Sequence, residues 1–349
     1  MHRGYFHRVN EKTPTVFWVN NPTGDEVDLA IQAGALGCTT NPAHLGRMVD
    51  APSEREWVLK LLDKALRQTK DDGEAEFIVQ RQAVRFIQEK FLPVYERTKG
   101  EHGYVSIQGD PLREHDPEII LREGHENRKL GPNACIKVPT TQAGLKAMEV
   151  FFEEGVPVNA TEVFAIRQGL DVIELYDRVT RKTGKYPRLY LSHIAGIYDE
   201  YLGECATRNN MDISTDVLCQ AGLAVARKMY RLMKERGSKA VFVGGGARGL
   251  HHFTEMVGGD VVVTINWAGT ADKLLAADPP VVYRLFNPVP EKVIGELREK
   301  LPDFRRGYDH DGLDVKDYEE FGPVAHFRNS FIKSWKKVLD MARERRKAL

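Results

Sequence analysis

The chain has 349 residues, 42% of them hydrophobic, which is enough for a sizeable core and long for one ordinary domain. Lysine plus arginine number 50, as do aspartate plus glutamate, so no global basic field draws the protein to nucleic acid or to a membrane surface. No 18-residue apolar run is present to span a bilayer, and the opening stretch from Met1 to Arg8 has no apolar leader core; with four scattered cysteines and no CxxC pair, a cytoplasmic protein is expected.

Eight short apolar runs recur with helical patterns between them. Val16–Asn20 is followed by a helix over Asp25–Ala33, opened by acidic residues and stopped at Gly34. Gly37–Pro42 precedes a helical pair, Ser53–Thr69 and Gly73–Phe91. Tyr104–Asp110 leads into a charged, partly helical segment, Pro111–Arg128. Asn133–Pro139 is followed by an amphipathic helix over Thr141–Glu154, and Pro157–Phe164 by another over Glu162–Thr183. Arg188–Ile194 comes next, then the long helical pattern Thr215–Arg236, and finally the runs Ala240–Gly246 and Val261–Trp267. Helical patterns at Pro290–Lys300 and His326–Lys347 lie outside the repeat. Most runs are β-branched and bounded by Gly, Pro, Asn or Asp. The alternation predicts a (β/α)8 TIM barrel, α/β in class, forming one domain over residues 1–349 with a C-terminal helical extension over 270–349.

The fourth run carries Lys137 where leucine or valine is expected. Stripped of water, an ammonium falls below its usual pKa of about 10.4 and a neutral, nucleophilic amine becomes available. Residues two apart on a strand share a face, which pairs Cys135 with Lys137, Thr39 with Asn41, Ser106 with Gln108 and Asp110, and Asn159 with Thr161. Each polar group lies near the carboxyl end of its strand, where barrel active sites sit. Any one of them, taken alone, reads equally well as a turn or helix cap. Their repetition around one lysine is what marks a site.

These residues resemble a family. Thr39-Thr40-Asn41-Pro42 on the second strand, Ile136-Lys137-Val138-Pro139 with Thr141-Gln142-Ala143-Gly144-Leu145 on the fourth, and Val158-Asn159-Ala160-Thr161 with Phe164 and Gln168-Gly169-Leu170 on the fifth are similar to the transaldolase and fructose-6-phosphate aldolase family. The resemblance implies a cofactor-independent, metal-free barrel whose fourth-strand lysine forms a Schiff base with a ketose and transfers or releases a dihydroxyacetone unit. On that resemblance the catalytic residues are Lys137, Asn20, Gln108 and Thr161, with Thr161 holding a proton-shuttling water. Asn41, Ser106, Asn159, Ser192 and Arg248 are the expected substrate-binding residues. The partner is a small carbohydrate, and the terminal helix, resembling one that covers a barrel mouth, implies a homo-oligomer.

Three positions depart from the family. Asn20 stands where the family has an aspartate that takes the proton from the C4 hydroxyl, and an amide cannot accept it. Asp110, Glu162 and His193 are candidate replacements, although strand parity turns His193 away from its inward neighbour Ser192. Gln108 stands where the transaldolase branch has glutamate; the aldolase branch has glutamine. Ile197 replaces one of two phosphate-binding arginines, while Arg248 keeps the other, which implies a smaller or less charged substrate tail. These departures leave two alternatives open: imine chemistry without cleavage, of isomerase or dehydratase type, or a catalytically decayed sugar-binding protein.

Two further motifs are weak. Gly244-x-Gly246-x-x-Gly249 matches the dinucleotide fingerprint but lies at the seventh unit rather than in an opening βαβ. His251-His252 lacks the i, i+4 spacing of a helical zinc pair, and the basic run toward Lys347 reads as a solvated helix face.

Overall fold

A computed structural model describes residues 4–349; Met1, His2 and Arg3, part of the opening stretch read above, lie outside the described residues. Eight parallel strands close into a (β/α)8 barrel in chain order: β1 (Val16–Asn20), β2 (Cys38–Thr39), β3 (Val105–Gln108), β4 (Ala134–Pro139), β5 (Val158–Val163), β6 (Leu189–His193), β7 (Val241–Gly244) and β8 (Val261–Asn266). β1 closes against β8 with Asn20 level with Asn266, and Lys137 is level with Gln108 on one side and Asn159 on the other.

Alternation sorts the strand side chains into an outer set under the helices and an inner set that forms two layers. The lower inner layer is Trp18, Tyr104, Cys135, Tyr190, Val243 and Val262, packed together inside the barrel. Trp18 and Tyr190 meet at a ring separation of 4.8 Å, and Tyr104 meets Tyr190 edge-on at 5.9 Å. Two residues further along the same strands stand Asn20, Ser106, Lys137, Ser192 and Thr264, so the inner face turns polar as the chain climbs toward the carboxyl ends. The aromatic layer is a floor that keeps water from entering below the lysine.

Helix boundaries differ from the expected ones where local signals compete. A helix at Tyr5–Lys12, not expected from the sequence, buries Tyr5, Phe6 and Val9, and Phe6 stacks on Phe17 at 4.0 Å. Helices at His44–Asp50 and Ala195–Arg208 were also not expected. The long pattern Thr215–Arg236 divides at Cys219–Gln220 into Thr215–Leu218 and Ala221–Glu235, and Gly222 lies against the backbone of Ala195, whose carbonyl oxygen is 2.3 Å from where a Cβ would reach. The helix expected from Glu162 starts at Ile166, since β5 runs on through Val163.

The terminal helix, Gly322–Ala348, has two buried stretches. Phe327 and Phe331 face the barrel mouth, while Val338 and Ala342 join Leu45, Met48, Val58, Leu62, Val79 and Ala83 in a separate small core. That annex is built from the helices His44–Asp50, Pro52–Leu66 and Asp72–Arg97. Among the described residues no helix is long and apolar enough to cross a membrane.

Gly37 enters β2 directly against the floor: a Cβ there would lie 2.3 Å from Trp18 Cε2. Gly37→Ala is therefore expected to destabilise the protein by about 1–3 kcal/mol through overpacking, read as a lower urea midpoint with an unchanged slope.

Candidate active site

Above the aromatic floor the barrel opens into a cleft of about 850 Å3, counting its solvent-filled mouth. Lys137 lies at its base, 6% exposed, with Nζ 3.4 Å from the Thr40 carbonyl oxygen. Burial pulls its pKa down to about 8, against the opposing pull of Glu162, Cys38 and Glu114. The buried amine thus gives up its proton far more readily than an exposed lysine does.

The sequence-predicted residues fall into three groups around it. Asn20 belongs to a hydrogen-bonded rim: its Nδ2 donates to Asn266 Oδ1 at 2.8 Å, its Oδ1 accepts from Thr39 Oγ1 at 2.8 Å, and the Thr39 and Thr264 hydroxyls are 2.7 Å apart. Asn41 also lines the cleft and is locked to its neighbour: Asn21 Nδ2 donates to Asn41 Oδ1 at 2.9 Å, and the Asn41 amide donates to Asn21 Oδ1 at 3.0 Å. Asn41 Oδ1 further accepts from the Ala43 amide at 3.0 Å, so it caps a turn and lines the cleft at once.

Ser106, Asn159 and Ser192 form a chain across three strands. Ser192 Oγ donates to Asn159 Oδ1 at 2.7 Å, and Asn159 Nδ2 reaches Ser106 Oγ at 3.4 Å. Of these Ser192 lines the cleft, while Ser106 and Asn159 are fully buried beside it. Thr161 does line the cleft, and its hydroxyl is buried without a partner. A buried hydroxyl left free in this way is available to a ligand.

Gln108 is also buried behind the cleft, where its Nε2 donates to Glu162 Oε1 at 3.0 Å and to Glu114 Oε2 at 3.2 Å. Glu162 follows Thr161, so regular alternation would turn it outward. Instead β5 bulges against β6 between Ala160 and Val163, and Glu162 adopts φ 59°, which swings its carboxyl inward. Burial pushes that carboxyl up to about 7, and the Gln108 amide, the Lys137 charge and Arg328 each hold it lower than burial alone would.

The other two candidate bases are placed elsewhere. Asp110 Oδ1 accepts from the Leu112 amide at 2.8 Å as a turn cap. His193 faces outward, its Nδ1 2.8 Å from the Val163 carbonyl and its Nε2 2.9 Å from that of Gly222, a strut between strand and helix. No acidic side chain lines the cleft among the described residues.

The far wall is mixed. Arg248 lines it but is already engaged, its Nη2 donating to Glu200 Oε1 at 3.2 Å and its Nε to the other oxygen of the same carboxylate. Ile194, Ile197, Phe327 and Phe331 supply an apolar surface beside it, and the glycine-rich turn at Gly245–Gly246 forms the edge. Sequence reasoning missed Arg47, which lines the cleft and pairs with Glu26 at 2.6 Å, because it sits on an unforeseen helix. Phe327 and Phe331 were visible only as an i, i+4 aromatic pair on the terminal helix. Asp199 joins His251 and His252 in a cluster whose donor atoms lie within 4.8 Å of one another. His252 is spent on the Arg248 amide and on Asp199, and Asp199 on the Gly222 amide.

These features define a lysine-centred (β/α)8 barrel whose mouth is rimmed by amides and hydroxyls. A profile of the family described as transaldolase/fructose-6-phosphate aldolase matches residues 17–286, and the chain belongs to that family. A transaldolase of Thiobacillus denitrificans is 25% identical over 252 residues, 66% of either chain. One from Acidothermus cellulolyticus is 29% identical over 221 residues, 61% of this chain and 59% of its own. Transaldolase 1 of Streptomyces avermitilis is 32% identical over 156 residues, 44% of this chain and 40% of its own. The chain thus spans less than two thirds of the length of these curated relatives. A solved 2,3-dimethylmalate lyase superposes with a TM-score of 0.33 at 11% identity over 96% of both chains, too distant to bear on the site.

Two expectations follow. Because the folded-state pKa of Lys137 lies below that of an unfolded lysine, its burial costs stability fully below about pH 8, and the cost fades as pH rises toward about 10.4. Lys137→Met should therefore raise the melting temperature at neutral pH by relieving a cost on the order of 2–3 kcal/mol, with the gain shrinking in alkaline buffer. Glu200→Gln should free Arg248 and tighten binding of inorganic phosphate several-fold by calorimetry, while leaving neutral sugars unaffected.

Proposed function

We propose that this protein is a transaldolase-like enzyme in which Lys137 forms a Schiff base with a ketose and the resulting iminium acts as electron sink for aldol cleavage, transferring or releasing a dihydroxyacetone unit. The observation that carries this reading is a buried lysine of depressed basicity at the base of a cleft rimmed by Asn20, Asn41, Thr161 and Ser192. Desolvation supplies the neutral amine for attack on a carbonyl. Amides and hydroxyls spaced around it suit the successive hydroxyls of a sugar, each offering a donor and an acceptor. Ser106 and Asn159 act from behind by fixing the Ser192 hydroxyl, and Thr161 offers its free hydroxyl to a water or substrate oxygen.

The tail of the substrate meets Ile197, Phe327 and a guanidinium already neutralised by Glu200, which favours a short or uncharged tail over a phosphate. One observation favours a second reading, imine chemistry without C–C cleavage: Asn20 is an amide tied at both ends, and the cleft lining offers no carboxylate to take the C4 hydroxyl proton. A cytoplasmic site of action, expected from the cysteine pattern, and assembly as a homo-oligomer, implied by the family resemblance, accompany the proposal.

The test is intact-mass measurement after cyanoborohydride reduction with a panel of neutral and phosphorylated ketoses, using Lys137→Met as control. A Lys137-dependent adduct of reduced dihydroxyacetone mass from a longer ketose supports cleavage, and whole-sugar adducts alone support the second reading. In that case Asn20→Asp should restore the fragment adduct, raising the cleavage rate by roughly 10²-fold or more. No adduct with any ketose would sink both readings.

A further inference from the structure

The bulge in β5 places a carboxylic acid where the strand's own alternation forbids one. Glu162 is fully buried, and a non-glycine residue held at φ 59° costs on the order of 1–3 kcal/mol, a strain that persists only when its surroundings enforce it. Its Oε1 takes a hydrogen bond from Gln108, whereas its Oε2 is buried with no partner. The same Gln108 amide nitrogen also serves Glu114, another buried carboxyl. Two carboxylates converging on one amide in a dry pocket repel each other, so the pair retains a proton near neutrality. Glu114 is accordingly pushed well above the usual carboxylate range by burial and by Glu162. Glu162 and Glu114 are also the carboxyl groups whose charge reaches Lys137, while the cleft lining itself offers no acid.

We infer that Glu162, oriented by Gln108 and backed by Glu114, is the proton-transfer residue for imine formation and hydrolysis at Lys137; the inference rests on the Schiff-base reading above. The neutral Nζ adds to the ketone carbon, and the carbonyl oxygen, receiving the π pair, takes a proton that the Glu162 carboxylic acid passes through a bridging water, since Glu162 does not itself line the cleft. The carboxylate then recovers a proton from the added nitrogen, leaving a neutral carbinolamine. When the nitrogen lone pair expels the hydroxyl, that group takes the Glu162 proton and departs as water. The products are an iminium and a Glu162 carboxylate, so the permanent cation of the intermediate gains a buried counter-ion. Hydrolysis reverses each step.

Lysine and acid together hold one mobile proton in the reactive state. Burial lowers the lysine and raises the acid, which brings the amine–acid arrangement closer in free energy to ammonium–carboxylate. The amine–acid arrangement is the one that reacts, so imine formation has a rising limb on the acid side and a falling one on the alkaline side.

The experiment compares initial rates of adduct formation with dihydroxyacetone and cyanoborohydride, by intact mass across the neutral pH range, for the native protein, Glu162→Gln, Glu162→Asp and Lys137→Met. In Glu162→Gln the rate is expected to fall by about 10²–10⁴-fold and the alkaline limb to vanish. The pH dependence should then be that of the lysine alone, a single rising limb. A merely structural defect would slow the reaction and keep both limbs. Glu162→Asp keeps an acid, and aspartate tolerates positive φ better than most residues, so it should recover part of the rate and the falling limb even if the glutamine variant folds poorly. A native rate, or an unchanged pH profile, in Glu162→Gln overturns the assignment and leaves the Schiff-base proposal standing. No adduct from the native protein overturns both.

Discussion

An amine held out of water inside a barrel strand is the constraint around which this molecule is arranged. Lys137 is unfavourable where it stands, and the surroundings offset that cost only in part. Thr40 offers a carbonyl at the edge of hydrogen-bonding distance, and Glu162 and Glu114 pull its basicity back up without restoring it. The aromatic layer of Trp18, Tyr104 and Tyr190 closes the route by which water would rehydrate it from below. Above, rims of amides and hydroxyls bond one another, so that Asn20, Thr39, Thr264 and Asn266 satisfy each other within the cleft wall. On the proposed function, a sugar entering the cleft exchanges hydrogen bonds rather than simply adding them, which makes hydroxyl stereochemistry, more than hydroxyl number, the basis of selection.

Much of this was legible in the sequence because it depends on period two. Strand count, closure and the inward set Thr39, Ser106, Gln108, Lys137, Asn159 and Ser192 all follow from alternation, and the outward turn of His193 does as well. What alternation could not reveal is a place where it fails. Glu162 was one candidate among three, and nothing in its neighbours signals a bulge; valine follows it and threonine precedes it, both ordinary strand residues. The burial of Ser106 and Asn159 behind Ser192 was equally hidden, since parity gives direction but not depth.

Residues supplied from outside the strands were the other blind spot. Arg47 and Glu200 sit on helices whose apolar patterns were too short or too mixed to stand out. Their effect on the site is electrostatic and indirect: Glu200 occupies the guanidinium of Arg248, and Glu26 occupies that of Arg47. A cleft that looks cationic from composition is thus largely neutralised by its own walls. Counting arginines along a sequence overstates the charge a ligand meets.

The terminal helix ties two cores together. One end sets Phe327 and Phe331 into the cleft wall and brings the charge of Arg328 to bear on Glu162, while the other end, at Val338 and Ala342, is sealed into the annex of short helices. A single rigid rod with both ends buried cannot tilt at one without shifting at the other. The annex is therefore mechanically tied to the cleft wall, to which its own helix His44–Asp50 also contributes Arg47. A substitution that loosens the annex core at Val338 or Ala342 is therefore felt at Phe327 and Phe331 in the cleft wall.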